Sequence, residues 1–106
     1  MESRVIFKDK GLKESFNELK EKDTRLRKEI EEALNTLKQN AFFGRNVKKK
    51  LIPKELKQKY NLNNLWIYNL RKDWRLIYTL TNNEVEILAI VLDWMNHKAY
   101  ERLFKF

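Results

Sequence analysis

The chain has 106 residues, of which 42% are hydrophobic, including three tryptophans, four tyrosines and six phenylalanines. This aromatic content argues against intrinsic disorder, because large apolar side chains offset the entropy lost on folding. The sequence contains no cysteine, which excludes disulfides and thiolate metal sites and favours a reducing, cytoplasmic location. No apolar run is long enough for an export signal or a membrane-spanning helix, so we expect no membrane partner. A chain of this length needs only one hydrophobic core, so we expect one domain over residues 1–106.

Positive charge is concentrated in one part of the chain. The formal net charge is +8, and residues 41–60 contain seven Lys or Arg against one Asp or Glu. Such a basic patch predicts binding to a polyanion. Nucleic acid fits better than a membrane surface, because this segment offers little apolar surface. The alternative is a solvated loop and helix whose lysines have no partner.

The first forty residues have the pattern of a strand followed by two helices. Residues 3–8 are rich in β-forming side chains and place two apolar residues on one face, which predicts a strand. Apolar residues then recur at helical spacing over 12–19 and 26–37, with polar residues 21–23 between them. We expect the two amphipathic helices to form a hairpin, and we assign no function to their charged outer faces.

The remaining residues predict a short helix and three strands. Pro53 is well placed as the first residue of a helix that reaches Tyr60. From residue 65 the pattern changes to three β-rich runs, LWIYNL, WRLIYTL and EVEILAIVL, joined by short turns. The expected fold is therefore α+β: an N-terminal strand, a two-helix hairpin, a short extra helix near 53–60, and a three-stranded antiparallel meander.

Several kinds of active site are excluded by the residues present. Two glycines are too few for a glycine-rich phosphate loop, and one histidine without any cysteine excludes the usual zinc sites. No cluster of acidic residues coincides with the strand ends, as a two-metal nuclease requires. We therefore expect neither a metal nor a small-molecule cofactor.

The remaining polar residues suit phosphodiester chemistry on RNA. Arg75 is predicted on the strand face opposite the aromatic residues, and His97 and Tyr100 follow the last strand. Cleavage by a neighbouring 2′-hydroxyl needs a base, an acid and fixed cations, and histidine is the side-chain type whose unperturbed pKa is nearest to neutrality. Structural alternatives stay open: the histidine as a surface residue, and Arg75 as the salt-bridge partner of Asp73 or Glu86.

Two motifs make the chain resemble the RelE/ParE toxin superfamily of type II toxin–antitoxin systems. LWIYNLRKDWRLIYTL, residues 65–80, is similar to the two central strands of this superfamily around an aromatic-Arg-apolar-apolar-Tyr core. HKAYERLFKF, residues 97–106, is similar to the HKxYxxxF ending of one branch of these toxins. The resemblance covers nearly the whole chain, since the expected order of strands and helices is also that of the superfamily.

The resemblance implies a metal-independent endoribonuclease that cleaves mRNA on the ribosome and so inhibits translation. It implies that Arg75 binds the scissile phosphate, His97 acts as acid or base, and Tyr100 orients the phosphate or a nucleobase. The general base stays unassigned, because the strand before Arg75 lacks the basic residues of RelE. The implied partners are a cognate antitoxin, the ribosome and mRNA. The residues expected to bind RNA are Arg45, Lys48, Lys49, Lys50, Lys54, Arg71 and Lys98.

Two other functions remain possible on the same scaffold. A ParE-like inhibitor of DNA gyrase has no nuclease activity and does not need the His97 and Tyr100 pair. A non-catalytic RNA-binding module would tolerate the loss of Arg75 or His97 but would depend on the lysine cluster.

Overall fold

The computed structural model describes residues 3–82 and 86–105. In chain order the elements are β1 (Ser3–Phe7), α1 (Lys10–Lys22), α2 (Thr24–Gln39), β2 (Arg45–Asn46), a 3₁₀ turn (Lys49–Leu51), α3 (Lys54–Tyr60), β3 (Trp66–Asn69), β4 (Trp74–Asn82), β5 (Ile87–Asn96) and α4 (His97–Phe104). The strands form one sheet in the order β1-β5-β4-β3-β2. β3, β4 and β5 pair antiparallel, whereas β1 lies parallel to β5 at the edge.

The α+β fold expected from the sequence is confirmed, with differences of detail. Pro53 is the N-cap of α3 and not its first residue. Residues 84 and 85, the start of the third predicted strand, lie outside the described residues. β2 and α4 were not predicted, and both carry residues of the candidate site.

Side-chain caps explain where three of the helices begin. Asp9, Asp23 and Asn96 precede α1, α2 and α4, and each side chain accepts a hydrogen bond from the backbone N–H three residues later, at 2.8, 3.0 and 2.9 Å respectively. An N-cap of this kind satisfies one of the N–H groups that have no partner within the helix. The cap at Asn96 ends β5 and begins α4 without an intervening loop.

Apolar clusters lie on both faces of the sheet because side chains alternate along each strand. The α1–α2 hairpin covers one face. Its buried cluster includes Leu12, Phe16, Ile30, Leu37, Leu76, Tyr78 and Val91. α3 and α4 pack on the other face. Their buried cluster comprises Ile52, Leu56, Leu65, Ile67, Ile77, Leu92 and Tyr100.

A register shift between β4 and β5 changes which side chains face α3 and α4. Ile77 pairs with Asp93, whereas the next residue, Tyr78, pairs with Val91, so Leu92 is the extra residue of a bulge. A bulge of one residue reverses the alternation beyond it. Leu92 and Asp93 therefore both lie on the face covered by α3 and α4.

Candidate functional site

The buried Tyr78 side chain fixes the connection that carries Arg45. Its hydroxyl donates a hydrogen bond to the carbonyl of Ala41 at 2.9 Å and accepts one from the N–H of Gly44 at 3.0 Å. Burial raises the pKa of Tyr78 to about 12, so the hydroxyl keeps the proton that it donates at neutral pH. A Cβ atom at Gly44 would lie 2.5 Å from the Tyr78 Oη and 2.7 Å from the Ile67 carbonyl oxygen. Glycine is therefore required where this connection crosses β3 and β4.

Arg75 and Tyr100 meet at the point where α4 leaves the sheet. Asn96 pairs with Trp74, so α4 begins beside the start of β4, where Arg75 lies. The Arg75 guanidinium carbon is 5.5 Å from the centroid of the Tyr100 ring, within the range of a cation–π contact. Arg75 also donates to the carbonyl of Trp74 at 3.2 Å. Glu86, considered above as its partner, forms a salt bridge with Arg4.

Arg45, the first residue of β2, also contacts Tyr100. Its Nη2 donates a hydrogen bond to the Tyr100 hydroxyl at 3.2 Å. Tyr100 is 5% exposed, and its ring packs on Phe104 with 4.7 Å between centroids. A buried tyrosine thus contacts one arginine through its hydroxyl and another through its ring.

A groove of about 250 Å³ opens beside Tyr100. Its lining residues are Arg45, Asn46, Val47, Lys48, Leu51, Ile67, Tyr100 and Phe104. The two cationic side chains, Arg45 and Lys48, attract an anion, and the apolar part of the wall strengthens that attraction by lowering the local dielectric constant.

His97 is the first residue of α4, and it is exposed. Its Nε2 lies 2.9 Å from Oε1 of Glu101, one helical turn further on. When Nε2 donates to this carboxylate, Nδ1 is the nitrogen available for proton transfer. Tyr100 follows His97 by three residues, so both lie on the same side of α4.

The residues expected to bind RNA lie in several elements, and only some of them line this groove. Lys48 lines it, and Lys49 and Lys50 are exposed in the adjoining 3₁₀ turn. Lys54 and Lys98 are exposed in the first turns of α3 and α4.

Arg71 lies apart from the groove, in the β3–β4 turn. Its backbone N–H donates to Oε1 of Glu29 at 2.6 Å. It lines a separate depression, together with Glu29 and Glu32 of α2. Of the predicted site residues, Arg71 is thus the one placed nearest to acidic side chains of the hairpin.

Two polar groups near the site were not identified from the sequence. The first is Glu101. Its i, i+4 spacing from His97 would have predicted the pairing of the two residues if the tail had been interpreted as a helix. The other group is Asp93, at a cavity of about 290 Å³ between α3 and α4. Burial raises the pKa of Asp93, and the charges of Lys8 and Lys59 partly offset this effect. Nothing in the sequence pattern marks Asp93, because the bulge decides which way it points.

No group of three or more His, Asp or Glu residues is placed to hold a metal ion within residues 3–82 and 86–105. Over the same ranges, none of the helices combines the length and apolar character needed to cross a bilayer.

The similarity to known proteins agrees with this fold. The sequence profile of the ParE toxin of type II toxin–antitoxin systems, parDE, matches residues 9–92. Among solved structures, the YoeB/ParE toxin from Agrobacterium tumefaciens is similar with a TM-score of 0.60 and 14% identity, over 89% of this chain and 98% of that one. At this identity the likeness shows the fold alone. No curated protein sequence matches the chain significantly.

The fold and the profile together define a toxin of the RelE/ParE superfamily. The chain belongs to the ParE toxin family of type II toxin–antitoxin systems. Membership of this family implies a cognate antitoxin as partner. The profile match ends at residue 92, so it includes Arg45 and Arg75 but leaves out His97 and Tyr100.

Proposed function

We propose that this toxin is a metal-independent endoribonuclease of the cytoplasm that cleaves mRNA on the ribosome and thereby inhibits translation. The observation that carries the proposal is the contact of Tyr100 with both Arg45 and Arg75. Tyr100 lies three residues after His97 on α4. This arrangement supplies two cations and one imidazole near a groove, which is what transfer at an RNA phosphate needs.

The reaction proposed is attack by a ribose 2′-hydroxyl on the adjacent phosphorus. The 2′-oxygen loses its proton and bonds to phosphorus, the bond to the 5′-oxygen breaks, and that oxygen takes up a proton. The products are a 2′,3′-cyclic phosphate and a 5′-hydroxyl end. Arg75 and Arg45 offset the negative charge that grows on the phosphate oxygens. His97 transfers one of the two protons through Nδ1, Glu101 orients its ring, and water exchanges the other proton.

The basic residues around the groove hold the RNA backbone in this proposal. Each Lys or Arg that neutralises a phosphate releases counterions, so the affinity falls as salt rises. Lys48, Lys49, Lys50, Lys54 and Lys98 supply this sequence-independent binding. Arg71 contributes from the β3–β4 turn, at the same end of the sheet as Arg75.

The test is cleavage of mRNA on translating ribosomes by purified toxin, with mapping of the new 5′-hydroxyl ends. We expect Arg75→Ala and His97→Ala each to lower the cleavage rate by about 100-fold or more. Lys13→Ala, an exposed change on α1, is the matched control and should cleave like the wild type. Intact mRNA in the presence of folded wild-type toxin would refute the proposal.

A second candidate function is inhibition of DNA gyrase. The match to the ParE profile over residues 9–92 favours it, because that match does not include His97 or Tyr100. A gyrase supercoiling assay separates the two functions. If the protein is a gyrase inhibitor, the wild type and His97→Ala should block supercoiling equally well. If it is a ribonuclease, neither should affect supercoiling.

A further inference from the structure

Two adjacent phenylalanines in the connection between α2 and β2 are exposed. Phe42 is 54% exposed and Phe43 is 60% exposed, although both side chains are large and apolar. Phenylalanine in a folded domain is usually buried, so two exposed neighbours need an explanation.

The two exposed rings lie on aromatic side chains of β3. Phe43 stacks on Tyr68, with 5.5 Å between centroids and 29° between planes. Phe42 meets Trp66 edge to face at 5.6 Å, and Trp66 in turn stacks on the buried Tyr78. We call the four residues Phe42, Phe43, Trp66 and Tyr68 the aromatic platform. Ring contacts hold it in place, so its exposed faces are presented in a fixed geometry.

Arg45 connects the aromatic platform with the candidate active site, although Trp66 and Tyr68 face the α1–α2 hairpin and the groove beside Tyr100 lies on the opposite face of the sheet. Phe43, Tyr68 and Arg45 line one depression of about 310 Å³, and Arg45 also lines the groove beside Tyr100. On the far side of Tyr68, a separate depression is lined by Glu29, Glu32 and Arg71, so its charges are mixed. A phosphate chain is therefore attracted more strongly towards Arg45 than towards this depression of mixed charge.

We propose that the aromatic platform is a subsite for single-stranded RNA, on which one or two unpaired nucleobases stack beside the phosphate held by Arg45. The inference rests on the proposed ribonuclease function and adds a subsite to it. Stacking of bases on exposed rings next to a cationic track is the usual physics of single-strand binding. Charge favours RNA over a protein partner as the occupant, because residues 41–60, which include both phenylalanines, carry seven basic residues and one acidic residue.

The test uses RNA that the toxin is unable to cleave. The probe is a uridine hexamer with 2′-O-methyl groups, and its match is a hexamer with the same backbone but no bases. Dissociation constants of both are measured by fluorescence anisotropy. We expect Phe43→Ala to weaken binding of the uridine hexamer by roughly 5- to 100-fold and to leave binding of the base-free hexamer unchanged.

Phe43→Leu separates stacking from apolar packing. Leucine keeps most of the apolar area but has no ring face, so we expect this variant to bind the uridine hexamer as poorly as Phe43→Ala. Phe43→Tyr should bind like the wild type. Ile6→Ala is the matched control, because Ile6 is an exposed apolar residue on β1, at the opposite edge of the sheet. Thermal unfolding by circular dichroism checks that each variant is folded.

Two results with RNA alone would overturn the subsite. One is equal binding of the two hexamers by the wild type, and the other is wild-type affinity of Phe43→Leu for the uridine hexamer. Loss of antitoxin binding by Phe43→Ala with unchanged RNA affinity would also overturn it, by assigning the aromatic platform to a protein partner. Because the probes resist cleavage, these outcomes are independent of whether ribosomal mRNA is cut.

Discussion

Arg45 donates a hydrogen bond through Nη2 to the hydroxyl of Tyr100, and this 3.2 Å contact joins β2 to the C-terminal helix. From the sequence, Arg45 belonged to the RNA-binding set and Tyr100 to the catalytic set. The structure brings one residue of each set, Arg45 and Tyr100, into contact. A phosphate at Arg45 would therefore lie near Tyr100 and near Arg75, which contacts the Tyr100 ring.

The hydroxyl and the ring of Tyr100 should contribute differently to stability. Tyr100→Phe removes the bond to Arg45 but keeps the buried ring, so the free energy of unfolding should fall by about 1 kcal/mol or less, because Arg45 is exposed. Tyr100→Ala also removes the contacts with Arg75 and Phe104 and should cost about 3 kcal/mol or more. Urea unfolding measures both values. Equal losses would show that the hydroxyl, and not the ring, stabilises the fold.

The two glycines should respond in opposite directions to alanine. Gly44→Ala places a Cβ against the Tyr78 hydroxyl and the Ile67 carbonyl, and should lower the free energy of unfolding by about 1–3 kcal/mol. Gly11→Ala is the matched control, since its Cβ would lie 3.5 Å from Asp9 Oδ1 in the first turn of α1. It should raise stability by about 0.5–1 kcal/mol. Thermal or urea unfolding of both variants is the measurement, and a neutral Gly44→Ala would contradict the close approach.

Asp93 should make stability depend on pH. Burial raises the pKa of Asp93 above its ordinary value of 3.8, so the folded state binds the proton more tightly than the unfolded state. The stability that this gives is complete below pH 3.8 and is lost as the pH rises through the folded pKa.

Asp93→Asn tests this effect, because asparagine stays neutral and its Oδ1 can still accept the hydrogen bond from the Trp94 N–H. The variant should gain stability relative to the wild type as the pH rises above 3.8. Unfolding free energies of both proteins from acid to neutral pH give the difference. The opposite trend would mean that attraction to Lys8 and Lys59 outweighs burial.

The lysine cluster should determine how strongly RNA binding depends on salt. A variant with four Lys→Gln changes removes this cluster: Lys48, Lys49, Lys50 and Lys54. The control removes the same charge from exposed positions of the α1–α2 hairpin: Lys10, Lys13, Lys20 and Lys28. We expect the slope of log affinity against log salt to fall by up to about 3 for the cluster variant and by much less for the control. Equal slopes would mean that total charge matters and its position does not.

Much of the fold follows from local periodicity. Helical spacing predicts α1 and α2, and alternation predicts β1 and the meander, because in each case the segment's own side chains decide which face is buried. Alternation along β4 also predicts that Arg75 points away from Trp74 and Tyr78, and the structure confirms this. The motifs at residues 65–80 and 97–106, together with the chain order of the elements, were sufficient to suggest the superfamily.

The rest depends on partners that are distant in the sequence. β2 has two residues and is a strand only because Arg45 and Asn46 pair with β3. The bulge at Leu92 turns Trp94 towards the hairpin, where it contacts Phe7 and Phe16. Neither feature has a local signal, since each is set by pairing and packing across the sheet.

The parallel pairing of β1 with β5 also has a consequence for synthesis of the chain. β1 is synthesised well before its partner residues 87–91. Non-local pairing of this kind delays folding, because a long loop must close before the contact forms. Ribosome-bound chains that stop before Ile87 should therefore leave the β1 amides unprotected against hydrogen exchange. The five-stranded sheet is thus complete only after residues 87–91 have been made.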